Sequence, residues 1–124
     1  MRKYEAFFTF TYLYMKEALL QFKKVFEGEI YFDDLYKSLY ATDASVYRKL
    51  PLAVAFPKTE RAITALVTFA LKNKTSLIPR TAGTSLGGQC VGEGIVVDVS
   101  KYFTKHADQH KTKTTLRRLC SGND

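Results

Sequence analysis

The sequence predicts an α/β to α+β fold of about three mostly parallel strands with flanking helices. Three observations predict it. Leu52-Ala53-Val54-Ala55-Phe56 and Ile95-Val96-Val97-Asp98-Val99 are short apolar runs, the pattern of buried strands. Between them, Ile63, Leu66, Val67, Ala70 and Leu71 recur at helical spacing. A strand, a helix and a further strand in that order imply a crossover connection, and so a parallel pair.

The elements follow in order. Arg2 and Lys3 precede an aromatic run of Phe7, Phe8, Phe10, Tyr12 and Tyr14. This resembles the start of a signal peptide, but Lys16 and Glu17 stand where small cleavage-site residues belong. Residues 1–14 are therefore read as an uncertain extension, with Met15 as an alternative start. From Met15, the spacing of Ala18, Leu19, Phe22, Val25 and Phe26 predicts a helix that stops at Gly28. Asp33 or Asp34 starts a short helix through Leu35, Leu39 and Tyr40, and residues 41–48 are polar and loop-like.

The first strand closes at Pro57. Thr59 caps the long helix, Glu60 sits in its first turn, and Asn73 is its stop. Ser76 to Pro79 is a second short strand. A glycine-rich loop then runs from Arg80 to Gly94 and leads into the third strand.

Composition narrows the function. A chain of 124 residues allows one domain with one modest core. The net charge of +7 is concentrated in residues 101–124, where six basic residues face two acidic ones. A nucleic-acid binder spreads its basic residues over a folded face, so no nucleic-acid partner is expected. No apolar run reaches the roughly 18 residues of a membrane span. Cys90 and Cys120 are too few for a disulfide scaffold, and a reduced, cytoplasmic setting follows. His106, His110 and Cys120 lack a fourth ligand, so no metal site is expected.

The chemistry concentrates in Pro79-Arg80-Thr81-Ala82-Gly83-Thr84-Ser85-Leu86-Gly87-Gly88-Gln89. Small residues let successive backbone N–H groups converge on one anion. Thr84 and Ser85 add hydroxyls and Arg80 adds a charge. Neither of the two common phosphate-loop patterns is present. On composition alone, a phosphate cradle and a plain surface turn fit equally.

This loop, with the block Tyr40-Ala41-Thr42-Asp43-Ala44-Ser45-Val46-Tyr47-Arg48 and the segments Pro51–Pro57 and Gly94–Ser100, resembles the N-terminal flavin-binding part of the FAD-linked oxidases of the vanillyl-alcohol-oxidase type. That family includes D-lactate, glycolate and 2-hydroxyglutarate dehydrogenases. The resemblance covers about residues 15–104 and implies the first lobe of a two-lobed FAD-binding domain. It carries pyrophosphate binding onto Arg80, Thr81, Ala82, Gly83, Thr84, Ser85, Leu86, Gly88 and Gln89. Many relatives have Gly at Thr81, which would be strained here if the site needs positive φ. Relatives that attach flavin covalently use a His at the position of Thr84, so non-covalent FAD is expected. Asp98 either orients the loop or is an ordinary strand-end residue. Asp43, Ser45 and Tyr47 either lie near the cofactor or form a plain connecting loop.

The resemblance also implies a second lobe and a substrate domain that oxidises a 2-hydroxy acid. None of their residues is recognised here, and no catalytic residue is assigned. Alone, such a lobe should bind FAD weakly or not at all. Residues 105–124 read as a basic tail, disordered or frame-shifted: re-read one base on, permissive codons restore a family-like apolar pattern. The alternative is a non-catalytic interaction subunit that completes a flavin site with a separately encoded partner.

Overall fold

The computed structural model describes residues 2–104. Helix α1 (Arg2–Val25) leads into strand β1 (Gly28–Tyr31), and α2 (Asp34–Leu39) follows. Strand β2 (Ala53–Pro57), helix α3 (Glu60–Asn73) and strand β3 (Leu77–Arg80) form the crossover, and β4 (Ile95–Asp98) ends the sheet. The strand order is β1-β2-β4-β3. β4 lies parallel to both β2 and β3, with Ala55 opposite Val97 and Pro79 opposite Val97 on its other side. β1 is antiparallel to β2, with Ile30 opposite Ala55.

Two expectations need correction here. The sheet has four strands and is mixed, because Gly28 opens an edge strand rather than simply stopping a helix. The two strands joined by the helix do not pair with each other, since β4 inserts between them. The crossover stays parallel, as expected, but at one strand's remove.

Both faces of β2 and β4 are covered, which is why their sequences run continuously apolar. Side chains alternate between faces along a strand. On one face Ile30, Ala53, Ala55, Ile95 and Val97 meet Leu19 of α1, Phe26 just after it, and Ala62, Leu66 and Phe69 of α3. The other face carries Phe56, against which Tyr36 and Tyr40 pack edge-on, with ring centroids 6.2 and 5.9 Å away. The N-caps are as read: Thr59 Oγ1 accepts the Ala62 N–H at 3.1 Å, and Asp33 Oδ2 accepts that of Tyr36 at 3.4 Å. The buried stripe of α3 is shifted from the expected one. Ala62, Leu66, Phe69 and Ala70 are inside, while Val67 and Leu71 face out. Phe22 of α1 sets this phase by stacking on Phe69 at 4.6 Å.

Helix α1 starts well before Met15, so residues 3–14 are helical and continuous with the helix expected from Met15. None of those residues is buried: Tyr4, Phe7, Phe8, Phe10, Leu13 and Tyr14 are all exposed. No helix among the described residues is long and apolar enough to cross a membrane. The tail, with His106, His110 and Cys120, lies outside the described residues.

Because β2, β3 and β4 are parallel, Pro57, Arg80 and Asp98 end at one edge of the sheet. The glycine-rich loop leaves from that edge, where ligands of parallel sheets bind.

Candidate functional site

The site is built on three side chains that the fold brings together. Asp98 is only 4% exposed. Its Oδ2 accepts the Tyr40 O–H at 2.5 Å, and its Oδ1 accepts the Ser100 N–H at 2.8 Å and the Ser100 hydroxyl at 2.6 Å. Burial, and then this carboxylate, push the Tyr40 hydroxyl well above its ordinary range. The Arg80 guanidinium lies 4.9 Å over the Tyr40 ring and donates to the Thr42 carbonyl at 2.6 Å. Asp98 thus anchors Tyr40 and the turn after β4, and Tyr40 carries it to Arg80 at the start of the loop.

The loop itself turns on two glycines in the left-handed region, Gly83 at φ +68° and Gly88 at φ +74°. A Cβ on Gly83 would stand 2.5 Å from Arg80 Nη2, and one on Gly88 would stand 2.7 Å from Tyr47 Cδ2. Both turns are therefore closed to side chains twice over, by φ and by contact. Thr81 escapes the strain foreseen for it: among the described residues, Lys74 is the non-glycine at positive φ. Gly83's carbonyl accepts the Ala44 N–H at 3.0 Å, fastening the loop to the preceding segment.

Ser85 shapes the loop from within. Its hydroxyl accepts the Gly87 and Gln89 N–H groups at 3.3 and 3.2 Å and donates to Gln89 Oε1. Thr84 and Leu86 are exposed, Leu86 by 81%. These bonds leave the N–H groups of Gly83, Thr84, Ser85, Leu86 and Gly88 without a protein acceptor among the described residues. Such a row of donors on small residues suits a diphosphate.

Residues 41–49 form the wall beside the loop. Thr42 pairs with Arg48 in an antiparallel bridge, and the Lys49 N–H donates to the Ala41 carbonyl at 2.9 Å. Asp43 Oδ1 accepts the Ser45 N–H at 2.8 Å and the Ser45 hydroxyl, while its Oδ2 is buried without a partner among the described residues. The Ser45 hydroxyl first, then the Ser45 and Cys90 N–H groups and the Arg80 charge, hold the Asp43 carboxyl below its usual range. The Cys90 N–H approaches without completing a hydrogen bond. Tyr47, Arg48 and Lys49 share with Gly87, Gly88 and Val91 a groove of about 270 Å³.

The structure gathers Arg80, Gly83, Gly88, Asp43, Tyr47 and Asp98 around one loop. Sequence reasoning missed Tyr40 and Thr42, which hold Arg80, because only the fold brings residues 58 positions apart, Tyr40 and Asp98, into contact. Cys90 is a half-buried free thiol. No group of three metal-ligating side chains occurs among the described residues.

Comparison with known proteins agrees with this geometry. A family model described as an FAD binding domain matches residues 51–117. The D-2-hydroxyglutarate dehydrogenase of Haemophilus influenzae is 39% identical over 82 residues, which are 64% of this chain and 8% of that protein. The enzyme of the same name from Pseudomonas putida is 35% identical over 81 residues, 63% of this chain and 8% of that protein. That from Escherichia coli K12 is 37% identical over 68 residues, 52% of this chain and 7% of that protein. The chain thus spans less than a tenth of the length of these relatives. Among solved structures, Physcomitrella patens BBE-like 1 superposes with a TM-score of 0.62 at 22% identity, over 77% of this chain and 21% of that chain. This likeness supports the fold.

Proposed function

The chain belongs to the FAD binding domain family, and on that premise we propose that its loop from Arg80 to Gln89 binds the pyrophosphate of FAD, non-covalently, for an oxidoreductase acting on a 2-hydroxy acid. One observation carries this reading. The N–H groups of Gly83, Thr84, Ser85, Leu86 and Gly88 have no acceptor among the described residues, on a loop leaving the carboxyl edge of parallel strands. Arg80, Thr81 and Ala82 lead the chain into this cradle, and Gln89, tied to Ser85, closes it.

FAD, when bound, supplies the two-electron acceptor. This chain's part is to hold the diphosphate and exclude bulk from beside it. Non-covalent attachment is supported by Thr84, whose hydroxyl is a poor nucleophile without an adjacent base. The substrate class comes from the relatives, which are D-2-hydroxyglutarate dehydrogenases by name. No residue among the 124 is assigned to the substrate. In this reading the acid meets residues of the rest of the enzyme, carried on the same or a separate polypeptide.

Equilibrium dialysis of the 124-residue chain against FAD tests the proposal. Of the two outcomes the sequence allows, weak binding and none, the assembled row of N–H donors favours weak, saturable binding, with all flavin released to the supernatant on acid precipitation. Flavin that stays with the precipitate would refute non-covalent attachment. Absence of binding at millimolar FAD would refute the cradle.

A further inference from the structure

A diphosphate needs counter-charge as well as N–H donors, and Arg80 is poorly free to give it. Its guanidinium is held by the Thr42 carbonyl at 2.6 Å, lies over Tyr40 and fills the space beside Gly83. The other cations near the loop and the strand ends are also engaged. Lys101 pairs with Glu29 at 2.9 Å, Lys58 lies 5.1 Å over the Tyr102 ring, and Lys49 pairs with Glu93 at 3.0 Å. Arg48 is different. It is exposed, and its guanidinium has no carboxylate, ring or hydrogen-bond partner among the described residues, whereas Arg80 and Lys58 lie over rings. The bridge to Thr42 fixes its backbone next to the residue that holds Arg80. Its neighbour Tyr47 lays its ring where a Cβ of Gly88 would stand. Arg48 therefore lines the same groove as Gly87 and Gly88.

We propose that Arg48 is the charged partner of the FAD diphosphate, and that Arg80 is a positioning residue that shapes the loop. This rests on the flavin reading above. An arginine suits the task because its planar fork meets two phosphate oxygens at once, and it stays charged. The groove brings a charge beside Gly88, while Arg80 braces the loop at Gly83. Because Arg48 is exposed, its contribution should be screened by salt.

The test compares Arg48→Gln, Arg48→Lys and Arg80→Gln in the full 124-residue chain. FAD affinity is read by equilibrium dialysis at low and high salt, and melting temperature is read without ligand. Arg48→Gln is expected to weaken FAD binding about tenfold, the loss of an exposed, solvent-screened charged contact. It should also flatten the salt dependence and leave the ligand-free melting temperature unchanged. Arg48→Lys should restore the salt dependence but only part of the affinity, because it returns the charge without the fork, and Arg80→Gln should lower the melting temperature. Wild-type affinity and salt dependence in Arg48→Gln would overturn the assignment while leaving the flavin reading intact. A lower ligand-free melting temperature in Arg48→Gln, or a salt dependence that Arg48→Lys does not bring back, would make its role structural and overturn it too. Failure of the wild type to bind FAD would instead overturn the flavin reading, and the assignment with it.

Discussion

Replacing Gly83 with Ala strikes the loop where its geometry is tightest. The new side chain is forced into the left-handed region at φ +68°, which costs about 1 kcal/mol. Its Cβ also lands 2.5 Å from Arg80 Nη2 and 2.8 Å from Arg80 Cζ, so the guanidinium must move. Moving it breaks the 2.6 Å bond to Thr42 and lifts it from the Tyr40 ring, for about 1 kcal/mol more. The total of about 2 kcal/mol should lower the melting temperature by roughly 10 °C in a domain of this size. The assay is a double-mutant cycle by urea denaturation, with Gly83→Ala measured in the wild-type and Arg80→Ala backgrounds. With Arg80 already truncated, only the backbone cost of about 1 kcal/mol should remain, leaving a coupling of similar size. An equal cost in both backgrounds would refute the account of how Arg80 braces the loop.

Further outcomes follow from the same geometry. Tyr40→Phe leaves Asp98 Oδ2 buried without its donor and should cost about 1–2 kcal/mol in urea denaturation; an unchanged midpoint would show that the bond does not matter. Glu29 is held down to about 2 by hydrogen bonds from Tyr102, Lys101 and Tyr31. Because its folded value is depressed, its stabilisation is fully present above about pH 4.5 and fades as pH falls toward 2. Melting curves of wild type and Glu29→Gln should therefore differ at pH 6 and converge near pH 2, whereas a constant gap would contradict this linkage. Replacing exposed Phe7, Phe8 and Phe10 with Gln removes three large exposed apolar side chains and should raise the monomer fraction on size-exclusion chromatography; an unchanged profile would show that these side chains do not drive association.

What could be read from the sequence follows from how each residue is covered. Residues 53–57 and 95–98 were legible because both faces of their strands are buried, so the apolar pattern is unbroken. Thr59 was legible because a cap acts within three residues of itself. Strand β1 was hidden: in its four residues only Ile30 is buried, too little for a period to show. The phase of α3 was misread because residue type favours Val67 and Leu71, while the stack of Phe22 on Phe69 turns the helix the other way. At the site, the glycines at 83 and 88 marked the loop. The work of Arg80 did not show, because Thr42 and Tyr40 meet it only once the sheet has formed.

The central claim is that this loop recognises a diphosphate. It is tested most directly by titrating the ¹⁵N-labelled 124-residue chain with FAD, ADP and riboflavin while following the backbone amides. The account predicts that FAD and ADP shift the amides of Gly83 to Gly88 more than any others, and that riboflavin, which has no phosphate, leaves them in place. Unmoved loop amides at saturating FAD and ADP, or equal shifts with riboflavin, would contradict it.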